Sequence, residues 1–144
     1  MSSLQTGHIG INVTDLARSV AFYEQAFGLT TTVKAEDHAF LGAGGRTLVT
    51  LWQQSTGTFA TDRPGLHHLS FQLDTLDEVL AAETVLKQLG ATFTHDGVVP
   101  HREGSPSGGI FFTDPDGTRL EIYTAHALTE AVAAPSDAPT CGFF

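Results

Sequence analysis

From position 8 the chain alternates: His8, Gly10 and Asn12 fall on one side of an extended segment, and Ile9, Ile11 and Val13 on the other. That alternation predicts a half-buried strand. The period then changes. Leu16, Val20, Tyr23 and Phe27 recur at helical spacing, Thr14 and Asp15 are placed to cap the helix start, and Gly28 is placed to end it in a left-handed conformation. Short strands are expected over 30–34, 37–41 and 47–53, with a turn at 42–45. In the last of these strands Thr47, Val49, Leu51 and Gln53 share one face, and Leu48, Thr50 and Trp52 the other.

A polar stretch over 55–65, containing Gly57 and Pro64, reads as a linker, and after it the pattern restarts. His68, Ser70 and Gln72 alternate with Leu69, Phe71 and Leu73. Thr75 and Glu78 form a capping box for a second helix, which Gly90 closes. Strands are expected over 92–94, 110–113 and 120–124, with a Gly-, Pro- and Ser-rich stretch between the first two read as a strand plus a mobile loop. Asp114-Pro115-Asp116-Gly117 is a tight-turn signal, because Pro presets φ and Gly supplies a positive φ. The strand after it sets Arg119, Glu121 and Tyr123 against Leu120 and Ile122.

The chain is therefore an internal repeat, each unit reading β-α-β-β-β. His8 and His68 are equivalent, sixty positions apart, and each helix runs from an acid to a glycine, Asp15 to Gly28 and Asp77 to Gly90. Matching Phe40 through Gly45 to Phe112 through Gly117 and continuing the register sets Val49 opposite Glu121. The expected class is α+β, with two tandem βαβββ modules in one domain over 1–144. Module one covers 6–54, the linker 55–65, module two 66–124 and a C-terminal tail 125–144. Pro135 and Pro139 oppose regular structure in that tail, a helical turn or two is expected near 128–133, and its Phe143-Phe144 end is expected to dock on its own body or on a neighbouring chain.

Composition narrows the partners. A formal net charge of −9, with only seven Lys and Arg and those scattered, disfavours nucleic acid and anionic membranes, which need clustered cations. One cysteine, Cys141, excludes an internal disulfide framework and fits a reducing compartment. The first residues carry no signal-peptide pattern, and no apolar run approaches membrane-spanning length. A soluble cytoplasmic protein is expected. Cys141 has no basic neighbour in sequence to depress its pKa.

The candidate chemistry lies on the polar strand faces. His8 and His68 face away from the apolar sides that cover the helices, and Glu121 projects from the corresponding side of its strand. If the two units pair around a concavity, two imidazoles and one carboxylate converge, an open arrangement suited to Fe(II), Mn(II) or another first-row divalent ion. The bland alternative stands beside it: a histidine at a strand start is ordinarily a surface or satisfied core residue, and Glu121 alone a solvated strand residue. Recurrence at the same register brings the two readings level. Strand parity places His67 on the helix side, so His68 is preferred. His101 could reach the cavity mouth as a proton carrier, although an exposed loop histidine is its simpler reading.

Three stretches carry a family resemblance: 7–13 with Asp15-Leu16 and Phe22-Tyr23, then 67–71, then 114–121. Together they resemble the vicinal oxygen chelate superfamily, which includes glyoxalases, bleomycin resistance proteins and extradiol dioxygenases. The resemblance covers about 6–124. It implies mixed sheets forming a cup-shaped metal and substrate cavity, with His8, His68 and Glu121 as ligands of a divalent ion such as Fe(II), Mn(II), Ni(II) or Zn(II), and a homodimer. It also implies chemistry on a small molecule that offers the metal two neighbouring oxygens.

Departures from the family patterns narrow the reaction without naming it. Val49 stands where four-ligand members supply a Glu or Gln, with Gln53 as the only substitute of the same parity. Phe111 stands where ring-cleaving dioxygenases place a Tyr, and the loop that binds anions in fosfomycin-modifying relatives here carries a single Arg102. The expectation is a metal-dependent dioxygenase- or glyoxalase-like enzyme whose catalytic residues are unassigned. Gln53, Ser70, Phe111 and Tyr123 are expected to line the cup, and Arg102 to bind an anionic group. The alternative is a drug- or metabolite-binding protein without catalysis.

Overall fold

The alternation at the start of the chain becomes β1 (Ile9–Val13), and the helical stripe becomes α1 (Leu16–Phe27). Asp15 caps α1, its Oδ1 accepting from the Arg18 amide at 3.0 Å, and Gly28 ends it with φ 63°. β2 (Thr30–Lys34), β3 (His38–Ala43) and β4 (Arg46–Gln53) follow. Ala43 pairs with Arg46, so the β3–β4 turn is the two residues Gly44 and Gly45, both at positive φ as such a hairpin requires. The four strands run in the order β1-β4-β3-β2, β1 parallel to β4 and the other pairs antiparallel. α1 packs on β2, β3 and β4. Val13, Tyr23, Ala39, Leu41, Val49 and Leu51 are fully buried there.

This computed structural model describes residues 2–126, and the chain divides into two compact units, the first running to Thr58 and the second beginning at Phe59. The proline-bearing tail with Cys141, the helical turn expected near 128–133 and the expected docking of Phe143-Phe144 lie outside the described residues.

The second unit repeats the plan with one addition. β5 (Leu69–Leu73) leads to α2 (Leu76–Gln88), where Thr75 and Glu78 make the capping box and Gly90 follows at φ 71°. β6 (Thr92–Phe93), β7 (Val99–Pro100), β8 (Gly108–Thr113) and β9 (Arg119–Thr124) complete it. The sheet order is β5-β9-β8-β6, with the extra β7 paired to β8. β5 runs parallel to β9, and the other pairs are antiparallel. The expected α+β class is what the described residues form: two helices and two mixed sheets. α2 packs on β5, β8 and β9. Val79 and Leu86 on α2 are fully buried, as are Ile110 and Phe112 on β8 and Leu120 on β9. No described helix is long and apolar enough to cross a membrane.

The turn before β9 is built by one buried side chain. Asp114 Oδ1 accepts from the amides of Asp116 and Thr118, both at 2.9 Å, and Gly117 turns at φ 85°.

Register corrects one expectation. Gly10 pairs with Thr50 in the first unit, and Ser70 with Glu121 in the second. The counterpart of Glu121 is therefore Thr50, not Val49, and Val49 answers to Leu120 on the helix-covered face. Likewise Phe40 pairs with Thr50 and Phe111 with Glu121, so Phe40 corresponds to Phe111. Counting through the turns failed because they differ. One hairpin closes over two residues beyond an irregularity between Leu41 and Gly42, while the other spans 114–118.

Candidate functional site

In the second unit the face of the sheet opposite α2 carries Ser70 and Gln72 from β5 and Glu121 and Tyr123 from β9. Cross-strand neighbours share a face, and the pairs are Ser70 with Glu121 and Gln72 with Tyr123. With His68, His101 and Ser107 these residues line an open cavity of about 530 Å³. Glu121 is 3% exposed. Its carboxylate is fully engaged: Ser70 Oγ donates to Oε2 at 2.7 Å, His68 Nε2 lies 3.5 Å from Oε2, and His101 Nε2 contacts Oε1.

Each imidazole is held at its other nitrogen. The Nδ1 atoms of His67 and His68 are 2.8 Å apart, so one donates and the other accepts. His101 Nδ1 is 2.5 Å from Ser107 Oγ. Burial pushes His68 below the usual histidine range, with His67 and Arg119 acting in the same direction and Glu121 opposing. Burial prevails because a partly desolvated imidazolium loses hydration that one carboxylate does not fully replace. The neutral ring is the form that binds metals.

The 101–107 segment is a built turn. The His101 amide donates to Ser107 O at 2.9 Å, the Ser107 amide to Ser105 Oγ at 3.1 Å, and the Ser105 amide to Arg102 O at 3.0 Å. The His101 ring meets Phe111 edge-on, with centroids 6.3 Å apart, and Tyr123 at 5.3 Å. At the cavity rim Tyr123 Oη donates to Gln72 Oε1 at 2.9 Å. Close approach of β8 to β9 here depends on Gly109, because a Cβ would stand 2.2 Å from Ile122 O and 2.7 Å from Tyr123 Cα.

Of the expected ligands, His68 and Glu121 meet in this unit. His8 is exposed, just before β1, in the first unit. Among the described residues no three His, Cys, Asp or Glu side chains already stand at metal-holding distances. Ser70 and Tyr123 line the cavity as expected. Phe111 is fully buried and supports the His101 ring without lining the cavity. Arg102 is exposed in the turn and is not a lining residue. Gln53 is used elsewhere: its Oε1 accepts from the Leu16 amide at 2.7 Å, at the start of α1 in the first unit.

Sequence reasoning missed Gln72 and Ser107 as members of this site and preferred the exposed-loop reading of His101, whose side chain is only 19% exposed and lines the cavity. The available signal was Val99-Pro100-His101 ahead of a Gly/Ser-rich return, which marks a hairpin extension of the sheet. His67 was also misread. It precedes β5, so strand parity does not apply, and its ring meets His68.

Residues 5–122 match the family model of the Glyoxalase/Bleomycin resistance protein/Dioxygenase superfamily. The chain is 30% identical to a probable trivalent organoarsenical cleaving enzyme of Bacillus subtilis, over 92% of this chain and 94% of that protein. It is 29% identical to the metallothiol transferase FosB of Lysinibacillus sphaericus, over 86% of this chain and 84% of that one. In fold it is similar to a glyoxylase/bleomycin resistance protein/dioxygenase domain from Frankia sp. EAN1pec, with TM-score 0.70, 24% identity, and coverage of 87% of this chain and all of that one.

Proposed function

The chain belongs to the Glyoxalase/Bleomycin resistance protein/Dioxygenase superfamily, and from that premise we propose that it is a metal-dependent enzyme acting on a small molecule through two neighbouring oxygens. His68 and Glu121 are the ligands proposed for a first-row divalent ion in the second unit. One observation carries this reading: His68 Nε2 stands 3.5 Å from Glu121 Oε2. Ligands bonded at about 2.1 Å to one ion stand roughly 3.0–3.4 Å apart for octahedral to tetrahedral angles, so the pair fits as one edge of a coordination polyhedron. The nitrogen and oxygen donor set suits Fe(II), Mn(II), Ni(II) or Zn(II).

When bound, such an ion supplies Lewis acidity toward substrate oxygens as negative charge develops on them. The protein's own groups do the rest. Ser70 holds the Glu121 carboxylate in one orientation. Tyr123 and Gln72 offer a hydroxyl and an amide at the rim to orient a polar substrate. Buried Phe111 backs the His101 ring edge-on and fixes its direction.

One relative's chemistry fits this chain poorly. Trivalent arsenic is a soft centre that prefers thiolates, and this chain has one cysteine, Cys141, outside the described residues. Anion binding by Arg102 would need that exposed side chain to turn toward the cavity.

The test is turnover. Chelator-treated protein would be reloaded separately with Fe(II), Mn(II), Ni(II) or Zn(II) and screened against catechols, α-ketoaldehyde–thiol adducts and epoxides with thiol. Turnover is expected only after reloading, and its loss is expected in Glu121→Gln. Binding of a small ligand equally well by chelated protein and by Glu121→Gln, with no turnover under any metal, would replace this reading with the drug- or metabolite-binding one.

A further inference from the structure

Resting on that reading, we propose that His101 is a further protein ligand of the ion, so that the second unit by itself contributes two imidazoles and a carboxylate. His68 and His101 address the two oxygens of one carboxylate, each through Nε2. Three donors of the required chemistry, N, N and O, thus already neighbour one another around a single buried side chain.

The surroundings of the three donors are those of ligands. A ligating histidine nearly always has its second nitrogen held by an outer partner, which fixes the tautomer and the ring direction. His68 has His67 at 2.8 Å and His101 has Ser107 Oγ at 2.5 Å, both at Nδ1. Glu121 has Ser70 Oγ at 2.7 Å. The His101 ring is further fixed by Phe111 and Tyr123 on its sides, and by the backbone bond from its amide to Ser107 O. A loop histidine serving only solvent would need none of this.

An ionised carboxylate only accepts, so the contact between His101 Nε2 and Glu121 Oε1 calls for the His101 proton on Nε2. Coordination would replace that bond. The proton would then reside on Nδ1 and be donated to Ser107 Oγ, a hydroxyl that can either donate or accept. His101 Nε2 would be left with its lone pair toward the ion. The change is one of tautomer: a proton leaves Nε2 and another is taken up at Nδ1 by exchange with solvent, so the net charge of the imidazole is unchanged.

The experiment uses the full chain loaded with one equivalent of Cu(II), with pulsed EPR counting coordinated imidazoles through their remote nitrogens, and Co(II) titration giving affinity. His101→Ala and His101→Gln are compared with the unmodified protein, and metal-free melting shows that both variants fold. The expected result is one imidazole fewer in both variants and Co(II) affinity weakened more than about a hundredfold, beyond the 10–100-fold typical of losing an outer partner. An unchanged imidazole count, or full rescue by Gln, would overturn the proposal and leave His101 as a positioning residue. Failure of the unmodified protein to bind Co(II) or Cu(II) would instead overturn the reading on which the proposal rests.

Discussion

At the scale of single residues, the site depends on how each polar side chain is held. Burial keeps His68 below the usual histidine range. The sign follows directly: a folded-state pKa below 6.5 means that the ring is less than half protonated at pH 6.5, where an exposed histidine is half protonated, and its charged fraction grows as pH falls further. Metal-free protein followed by NMR of the imidazole C–H signals should show a His68 midpoint below 6.5, and a midpoint at or above that value would contradict it. Gln53 is the contrasting case. Its Oε1 supplies one of the acceptors needed by the first amides of α1. Gln53→Ala should lower stability by about 1 kcal/mol in denaturant melts and leave metal affinity unchanged. Strand parity could not distinguish a ligand from a helix cap here, because both face assignments agree with the alternation and only the partner decides.

At the scale of elements, what was legible in the sequence was local. The alternation of β1 and β5, the capping box of α2 and the glycine after each helix all act within a few residues of themselves, so their signals survive in the chain. What was lost was long-range register. The pairing of Ser70 with Glu121 and of Gly10 with Thr50 depends on turn lengths and one bulge, and these shifted the apparent counterpart from Thr50 to Val49. The conclusion that the first unit lacks a carboxylate at that position survives, since Thr50 is also neutral and is bonded by Trp52 Nε1 at 3.0 Å. His101 was only partly legible for the same reason: its partners Ser107 and Glu121 meet it only once β7, β8 and β9 pair. Gly109 tests that pairing. Its replacement by Ala forces a Cβ against the β9 backbone and should cost on the order of 3 kcal/mol, as overpacking does. Thermal melting checks this, and an unchanged Tm would show that β8 and β9 can part without loss.

At the scale of the whole molecule, one repeated unit has been put to two uses. The first unit places Thr50, Trp52 and a ring stack of His38 on Trp52, with centroids 4.9 Å apart, on the face where the second places Glu121, Tyr123 and His101. Divergence of this kind keeps the apolar halves alike and confines the chemistry to the polar faces. Family membership supplies the expectation of a metal, and the Glu121 cluster is where the described residues concentrate nitrogen and oxygen donors. The expected homodimer belongs to the same proposal and is checked by sedimentation velocity.

The most direct measurement is thermal unfolding of chelator-treated protein with and without added Mn(II), Ni(II) or Zn(II), alongside Glu121→Gln. A ligand that binds only the folded state at a hundred times its Kd adds about 2.7 kcal/mol of stability. The unmodified protein should therefore gain several degrees with at least one ion, and Glu121→Gln, which keeps the shape and loses the charge, should gain none. Equal gains in the two proteins, or no gain in either with any ion, would contradict a metal centre at Glu121.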